Sequence, residues 1–168
     1  MIRDRFVAAR WLALLLPLAL MSGALGSQFI GGLFPCEMCH WQRWPHYAAI
    51  ALAAMAFVAP GTASKRALVA AAALAILVSG GIGVFHAGVE YHWWDGITAC
   101  ATTMQGSGGS VEDMLKRIMA APVVRCDVPQ WSLFGISLAG FNAIFSLAGG
   151  IAILWLMRRR RRVSAFAR

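Results

Sequence analysis

Four long apolar segments that contain no Asp, Glu, Lys or Arg constrain this chain more than any other feature. They cover residues 11–36, 44–64, 67–89 and 134–157. Each exceeds 18 residues, and a helix of about 20 apolar residues crosses the hydrocarbon core of a bilayer, which is roughly 30 Å thick. Backbone groups in lipid are satisfied only in helices or closed barrels. The pattern predicts an all-α integral membrane protein, a four-helix bundle.

The composition excludes a water-soluble globule. Hydrophobic residues make up 60% of the chain and charged residues 13%, against about 45–50% and about 25% in soluble domains. The formal charge of +8 does not indicate nucleic-acid binding, because five arginines form one run, residues 158–162, directly after an apolar segment. Such a run is typical of a cytoplasmic topology anchor. We therefore expect a lipid bilayer as the surroundings and no nucleic-acid partner.

The basic residues also predict the orientation of the chain. We expect a single membrane domain with spans at about 11–34, 44–61, 67–88 and 132–157 and periplasmic loops at about 35–43 and 89–131. Short cytoplasmic loops are enriched in Lys and Arg, and eleven of the fifteen lie on the side of the termini. The remaining four are Arg43, Lys116, Arg117 and Arg125. Both termini are predicted to be cytoplasmic. A cleaved signal peptide is the alternative for the first span, but its apolar stretch exceeds the 7–15 residues of such peptides.

All four cysteines fall in the two predicted periplasmic loops. Cys36 and Cys39 form a C-x-x-C in the first loop, and Cys100 and Cys126 lie in the second. An oxidising compartment is where disulfides persist, although four cysteines allow three pairings and the sequence does not choose among them. Structural disulfides are one interpretation. A bridge between residues 36 and 39 closes too small a ring to stabilise much, so this pair indicates thiol–disulfide exchange.

Two metal-based alternatives use the same residues. Cys36 to His40 spell C-x-x-C-H, the attachment signature of c-type haem, with His40 as the proximal ligand. A second axial ligand would come from Met104, Met114 or Met119. The loop of about nine residues leaves little room for a haem. A zinc site is disfavoured as well, because no second closely spaced cysteine pair is present.

The segment from Pro35 to Arg43, PCEMCHWQR, is similar to the first periplasmic loop of the bacterial disulfide-bond formation protein B family. The resemblance extends over nearly the whole chain. It includes four spans, a C-x-x-C followed four residues later by Arg, a widely spaced cysteine pair in the second loop, and Pro129-Gln130-Trp131 before the last span. The order and the sidedness of these features together make the resemblance specific.

This resemblance implies an inner-membrane thiol oxidase that reoxidises a periplasmic, DsbA-like oxidant of thioredoxin fold. Cys100 and Cys126 would form the disulfide that the reduced partner attacks, and Cys36 and Cys39 would pass two electrons to the membrane quinone pool, ubiquinone or menaquinone. The family's quinone-site arginine corresponds to Arg43. His86 is the expected second polar contact, and His92 competes with it.

The residues themselves are compatible with these roles. If the second helix has begun at Cys39, Arg43 lies one turn further on, where its charge favours a thiolate and can hydrogen-bond a quinone oxygen. If the helix begins near Trp44, that geometry fails, and Pro45 suits a first turn. A snorkelling interfacial arginine is the alternative. His86 lies at membrane depth, where an ionisable group indicates function or a hydrogen-bonded structural histidine.

A short amphipathic helix is predicted in the second loop. Ser110 to Asp113 read as a capping box, and apolar residues then recur at helical spacing. The stripe comprises Val111, Met114, Leu115, Ile118 and Met119. Such a helix can lie on the membrane surface.

Overall fold

Four helices pack into a bundle in which sequential neighbours run antiparallel. The computed structural model describes residues 2–97, 110, 112 and 124–158. In chain order, the long helices within these described residues are α1 (Ile2–Phe29), α2 (Glu37–Val58), α3 (Thr62–Glu90) and α4 (Leu138–Met157). Contacts join α1 to α2, α2 to α3, α3 to α4 and α4 to α1. This arrangement places both ends of the described chain at one end of the bundle, opposite the cysteines.

Three of these helices are long and apolar enough to cross a membrane: Asp4–Phe29, Thr62–Glu90 and Leu138–Met157. Their outward faces carry large apolar side chains, including Leu15, Leu74, Val78 and Ile151, each more than half exposed. A surface of this kind is suited to lipid. Helix α2 is long enough at 22 residues, but the polar side chains of its first half lower its hydropathy.

Helix α2 begins seven residues before the start expected for the second span. Cys36 caps it, because its sulfur accepts a hydrogen bond from the Cys39 backbone N–H at 3.3 Å. Glu37 supplies an acidic residue in the first turn, which the helix dipole favours. Pro45 consequently lies inside the helix. Cys39 and Arg43 are therefore one helical turn apart, as the sequence hypothesis required.

A small β-hairpin precedes the last helix, so the fold is mostly rather than entirely helical. Strand β1 (Ser132–Leu133) pairs antiparallel with β2 (Ile136–Ser137). Phe134 and Gly135 both have positive φ, 52° and 77°, as a two-residue type I′ turn requires. The last span was expected from about residue 132, but helix α4 starts at Leu138, because Ser137 caps it through a bond from the Gly140 N–H at 3.1 Å.

The other helix bounds also differ from the expected span limits. Helix α1 ends at Phe29 rather than near residue 34, and Gly32 follows with a φ of 69°. Helix α3 extends past both limits of the third expected span. The predicted amphipathic helix at 111–119 lies outside the described residues, apart from Glu112.

Close backbone approach joins α3 to α4. A Cβ added at Gly83 would meet the Ala143 nitrogen at 3.0 Å and the Ala139 oxygen at 3.1 Å. Small residues permit such packing between helices in lipid. At the other end of the bundle, the core consists largely of alanines, with Val69, Ile76 and Ile153 among them. The helices thus approach closely through small side chains, whereas the buried polar side chains Gln42, His46, Ser79 and His86 lie in the half of the bundle nearer the cysteines.

Candidate redox site at the cysteine end

The Cys36 and Cys39 thiols form the centre of the candidate site. Their sulfurs lie 2.9 Å apart, so a small movement closes a disulfide bond of about 2.05 Å. Cys36 is 4% exposed. Its position at the cap of α2 and that of Cys39 in the first turn follow from the C-x-x-C spacing. The pair is thus held by one helix terminus in a geometry that allows reversible oxidation.

Cys126 comes from the second loop and packs against this pair. It is 1% exposed and shares an apolar cluster with Cys36, Met38 and Val89. A hydrogen bond between Cys126 and Cys36 is the main cause that raises the pKa of the Cys36 thiol, with the bond to Cys39 and burial adding to it. The structure therefore brings together three of the four predicted redox cysteines. Cys100 lies outside the described residues.

His86 is the histidine that approaches the sulfurs. Its Nε2 lies 3.5 Å from the Cys36 sulfur and 3.8 Å from a Glu90 carboxylate oxygen. The competing His92 is exposed on the turn after α3, where its Nδ1 lies 3.1 Å from the Glu90 backbone oxygen. His40 is also exposed. The histidine of the C-x-x-C-H motif is therefore not the one beside Cys36, and the haem interpretation gains no support.

Arg43 reaches across to α1. One Nη donates to Gln28 Oε1 at 2.6 Å and the other to the Ala24 carbonyl at 3.3 Å. These bonds hold the guanidinium at the wall of a cavity between the helices rather than at the outer surface. The structure thus places Arg43 and His86 on one cavity together with the C-x-x-C pair.

This cavity has a volume of about 250 Å³ and mostly apolar walls. Its apolar lining includes Leu20, Ala24, Leu33, Phe141 and Phe145, and Cys39, Arg43 and His86 are among its polar lining residues. Ligand sites typically combine apolar walls with a few fixed polar groups. A flat ring bearing oxygen acceptors fits this arrangement, since the Arg43 guanidinium offers donors beside Cys39.

A hydrogen-bonded polar network that the sequence analysis missed continues from His86 into the bundle. Gln42 Nε2 lies 2.7 Å from His86 Nδ1, and Asn142 Nδ2 lies 2.7 Å from Gln42 Oε1. His46 Nε2 lies 2.9 Å from Asn142 Oδ1. Ser79 and Ser146 add further bonds to Gln42 and Asn142. Asn142 had a usable signal, because it is the chain's one asparagine and lies within an apolar segment, where polar groups indicate function.

Residues of the returning second loop complete the site. Gln130 Nε2 donates to the Phe34 carbonyl at 2.5 Å, which joins the two loops. The Tyr91 hydroxyl accepts a hydrogen bond from the Ser137 backbone N–H at 2.9 Å. The same hydroxyl donates a hydrogen bond to the Gly135 carbonyl at 2.8 Å. The Ser137 hydroxyl also donates to Glu90. The hairpin is thereby fixed to the end of α3, close to the cysteines.

The fold and the site together define a membrane-helix protein with a dithiol redox centre. A family model described as disulfide bond formation protein DsbB matches residues 6–156. The chain is also similar to a disulfide bond formation protein B of Aromatoleum aromaticum, with 31% identity over 153 residues, 84% of this chain and 89% of the relative. No solved structure gave a significant match. The chain belongs to the DsbB family and is a disulfide oxidoreductase.

Proposed function

We propose that this protein is a multi-pass inner-membrane thiol oxidase. It reoxidises a periplasmic DsbA-like dithiol protein and passes the electrons through two cysteine pairs to a membrane quinone. The observation that carries the proposal is the position of the Cys36/Cys39 pair, which contacts Cys126 on one side and lines an apolar cavity with Arg43 on the other. Electrons that enter from the loop pair thus have a short route to a ligand in the cavity.

The direction of insertion follows from charge. The α2–α3 turn and both ends of the described chain lie at the end opposite the cysteines. There, the Arg5 and Arg10 guanidinium groups stack on Trp155 and Phe57, and Arg66 donates to the Met157 carbonyl. A basic end of this kind faces the cytoplasm. We infer that the cysteines face the periplasm. We also infer that α2 crosses the membrane, which brings the number of spans to four.

The exchange begins at the second loop. A thiolate of the partner attacks the Cys100–Cys126 disulfide at Cys100, forming a mixed disulfide and releasing the Cys126 thiolate. Cys126 then attacks Cys36 in the Cys36–Cys39 disulfide, and Cys39 leaves as a thiolate. Each step exchanges one S–S bond for another. The contact between Cys126 and Cys36 provides the geometry for the second attack.

Resolution restores the loop disulfide. The second partner thiol attacks the mixed disulfide, so the partner leaves oxidised and the Cys100 thiolate is released. Cys100 then attacks Cys126 in the Cys36–Cys126 disulfide, leaving Cys36 and Cys39 as the reduced pair. Their reoxidation releases two electrons and two protons. A quinone bound in the cavity supplies the acceptor for both.

The residues around the cavity assist this last step. The Arg43 guanidinium, fixed by Gln28 and Ala24, provides permanent positive charge one helical turn from Cys39. Positive charge favours a thiolate and any negative charge that develops on a ligand oxygen. His86 is the proposed second ligand contact. The mostly apolar walls favour an apolar ring beside the Cys36/Cys39 pair.

The proposal is tested with purified protein in nanodiscs that contain ubiquinone or menaquinone. A reduced, thioredoxin-fold dithiol protein is added, and quinone absorbance and partner thiols are followed together. We expect one quinone to be reduced for each partner disulfide formed, because both reactions transfer two electrons. Partner oxidation that proceeds equally well in quinone-free nanodiscs under argon would contradict the quinone step.

A further inference from the structure

The orientation of two side-chain amides determines where the His86 ring carries its proton. Gln42 Nε2 lies 3.4 Å from the Met38 backbone oxygen, and Asn142 Nδ2 lies 3.3 Å from the Ser79 backbone oxygen. A backbone carbonyl only accepts hydrogen bonds. Each of these contacts therefore requires the amide nitrogen, rather than the amide oxygen, at that position.

The two amides then form a chain with one direction. Asn142 Nδ2 donates to Gln42 Oε1, and Gln42 Nε2 donates to His86 Nδ1, both at 2.7 Å. Because His86 Nδ1 accepts, the proton of the neutral ring is on Nε2. That N–H faces the Cys36 sulfur at 3.5 Å and the Glu90 carboxylate at 3.8 Å. In the opposite tautomer, a nitrogen lone pair would face these groups.

We propose that Asn142 is a positioning residue, which acts through Gln42 to fix His86 in the tautomer whose Nε2–H faces Cys36. A donor at this place stabilises a Cys36 thiolate, whereas a lone pair would repel it. The inference rests on the proposed function for its consequence in catalysis but not for the tautomer itself. Asn142 lies in α4, 100 residues from Gln42 in the sequence. This chain of hydrogen bonds therefore connects α4 to His86 beside the Cys36/Cys39 pair.

The bonds on the amide oxygen of Asn142 provide a matched control. Ser146 donates to Asn142 Oδ1 at 2.9 Å, and His46 Nε2 lies at the same distance from that oxygen. Replacing Ser146 by Ala removes a bond at the oxygen and leaves the nitrogen's bond to Gln42. Replacing Asn142 by Leu keeps a similar side-chain volume. It removes the bonds at the amide oxygen as well as the donation from the amide nitrogen to Gln42. The two variants therefore separate donation to Gln42 from general loss of buried polar contacts.

The test uses the full-length protein in nanodiscs, labelled with ¹⁵N-histidine and with its cysteines reduced. Long-range ¹H–¹⁵N spectra distinguish the two ring nitrogens and show which one is protonated, and a His86→Gln sample assigns the signals. We expect His86 to be protonated at Nε2 in the wild type and in Ser146→Ala. In Asn142→Leu, the ratio of the Nε2–H to the Nδ1–H tautomer should fall about fivefold, the equivalent of one net hydrogen bond.

Several results would overturn the inference. A wild-type spectrum with His86 protonated at Nδ1 does so without any variant, whether or not the protein reduces quinone. An unchanged ratio in Asn142→Leu, or an equal change in Ser146→Ala, also does so. Turnover adds a second readout, since kcat for quinone reduction should fall with the ratio in Asn142→Leu and not in Ser146→Ala. A protein with the Nε2 proton but without quinone reduction would contradict the proposed function alone.

Discussion

The two halves of the bundle bury different types of side chain. At the basic end, alanines such as Ala13, Ala53 and Ala72 are fully buried and the helices meet through small apolar surfaces. At the cysteine end, Gln42 and His86 are buried between the same helices and are joined by hydrogen bonds. Buried polar groups add little net stability, and they require partners in fixed directions. The apolar half thus provides close packing, and the polar half holds side chains in fixed directions around the candidate site.

The largest predicted loss of activity follows from replacing the sulfurs at the cysteine end. Cys36→Ser and Cys39→Ser should each abolish quinone reduction driven by a reduced partner, because either change interrupts the electron path. The protein should remain folded, since these thiols lie outside the alanine core. The control is His40→Ala, an exposed position in the same helical turn as Cys39. Steady-state quinone absorbance measures the effect, and turnover that persists in either serine variant would disprove the relay.

A smaller loss is expected from Arg43→Ala. The change removes a charged donor from the cavity wall without altering a sulfur, so the KM for quinone should rise about tenfold or more, as for hydrogen bonds to charged groups. Gln28→Leu is the matched control, because it removes an anchor of Arg43 and keeps the charge. It should raise the KM less. Equal KM values in wild type and Arg43→Ala would contradict a quinone contact and favour the alternative of an interfacial, snorkelling arginine.

In the apolar half, we expect a substitution to lower the stability of the protein and not its turnover. A Cβ at Gly150 would lie 2.6 Å from Leu77 side-chain atoms and 3.3 Å from the Ala73 oxygen. Gly150→Leu should therefore lower the free energy of unfolding by about 1–3 kcal/mol, as overpacking does. Turnover per folded molecule should be retained. Denaturation in mixed micelles measures the change, with Gly81→Leu as the control, since nothing lies within 4 Å of its added Cβ. Equal destabilisation by both variants would contradict the packing argument.

The smallest effect is expected from a surface ion pair beside Cys126. Arg125 donates to both carboxylate oxygens of Asp127, at 2.8 and 2.5 Å, and this bonding lowers the pKa of Asp127. A depressed folded-state pKa stabilises the protein above the unfolded pKa, and the contribution disappears as the pH falls through the folded value. Asp127→Asn should lower the Tm slightly at neutral pH and leave it unchanged in strong acid. A Tm difference that grows on acidification would contradict this sign.

Sequence reasoning predicted the parts of this molecule that depend on local pattern. The apolar segments predicted the helices, and the C-x-x-C with Arg43 four residues later indicated the centre of the candidate site. It could not find the partners of His86, because which faces of α2, α3 and α4 meet depends on packing over the whole bundle. Asn142 and Gln42 are far apart in the chain and meet only through that packing. The hairpin was missed because its strands have two residues each and lack an alternating pattern.

The start of α2 shows the same limit at a single position. Pro45 favoured a helix that begins near Trp44, yet the sulfur cap at Cys36 and the acidic Glu37 start it earlier. The deviation matters for the proposed function, because it brings Cys39 and Arg43 onto consecutive turns. Proline is tolerated there with the loss of one backbone hydrogen bond. A cap formed by a cysteine is weakly signalled by sequence, since Ser, Thr, Asp and Asn are the usual residues.

We propose that the Cys36/Cys39 pair alone delivers electrons to quinone. A single turnover of the Cys100→Ser/Cys126→Ser double variant, which retains only that pair, tests this electron exit. The protein is reduced with dithiothreitol, freed of reductant and mixed anaerobically with nanodisc-bound quinone. We expect one quinone to be reduced per chain, with loss of both remaining thiols. If wild-type protein reduces quinone and the double variant reduces none while its thiols persist, the pair is not the electron exit.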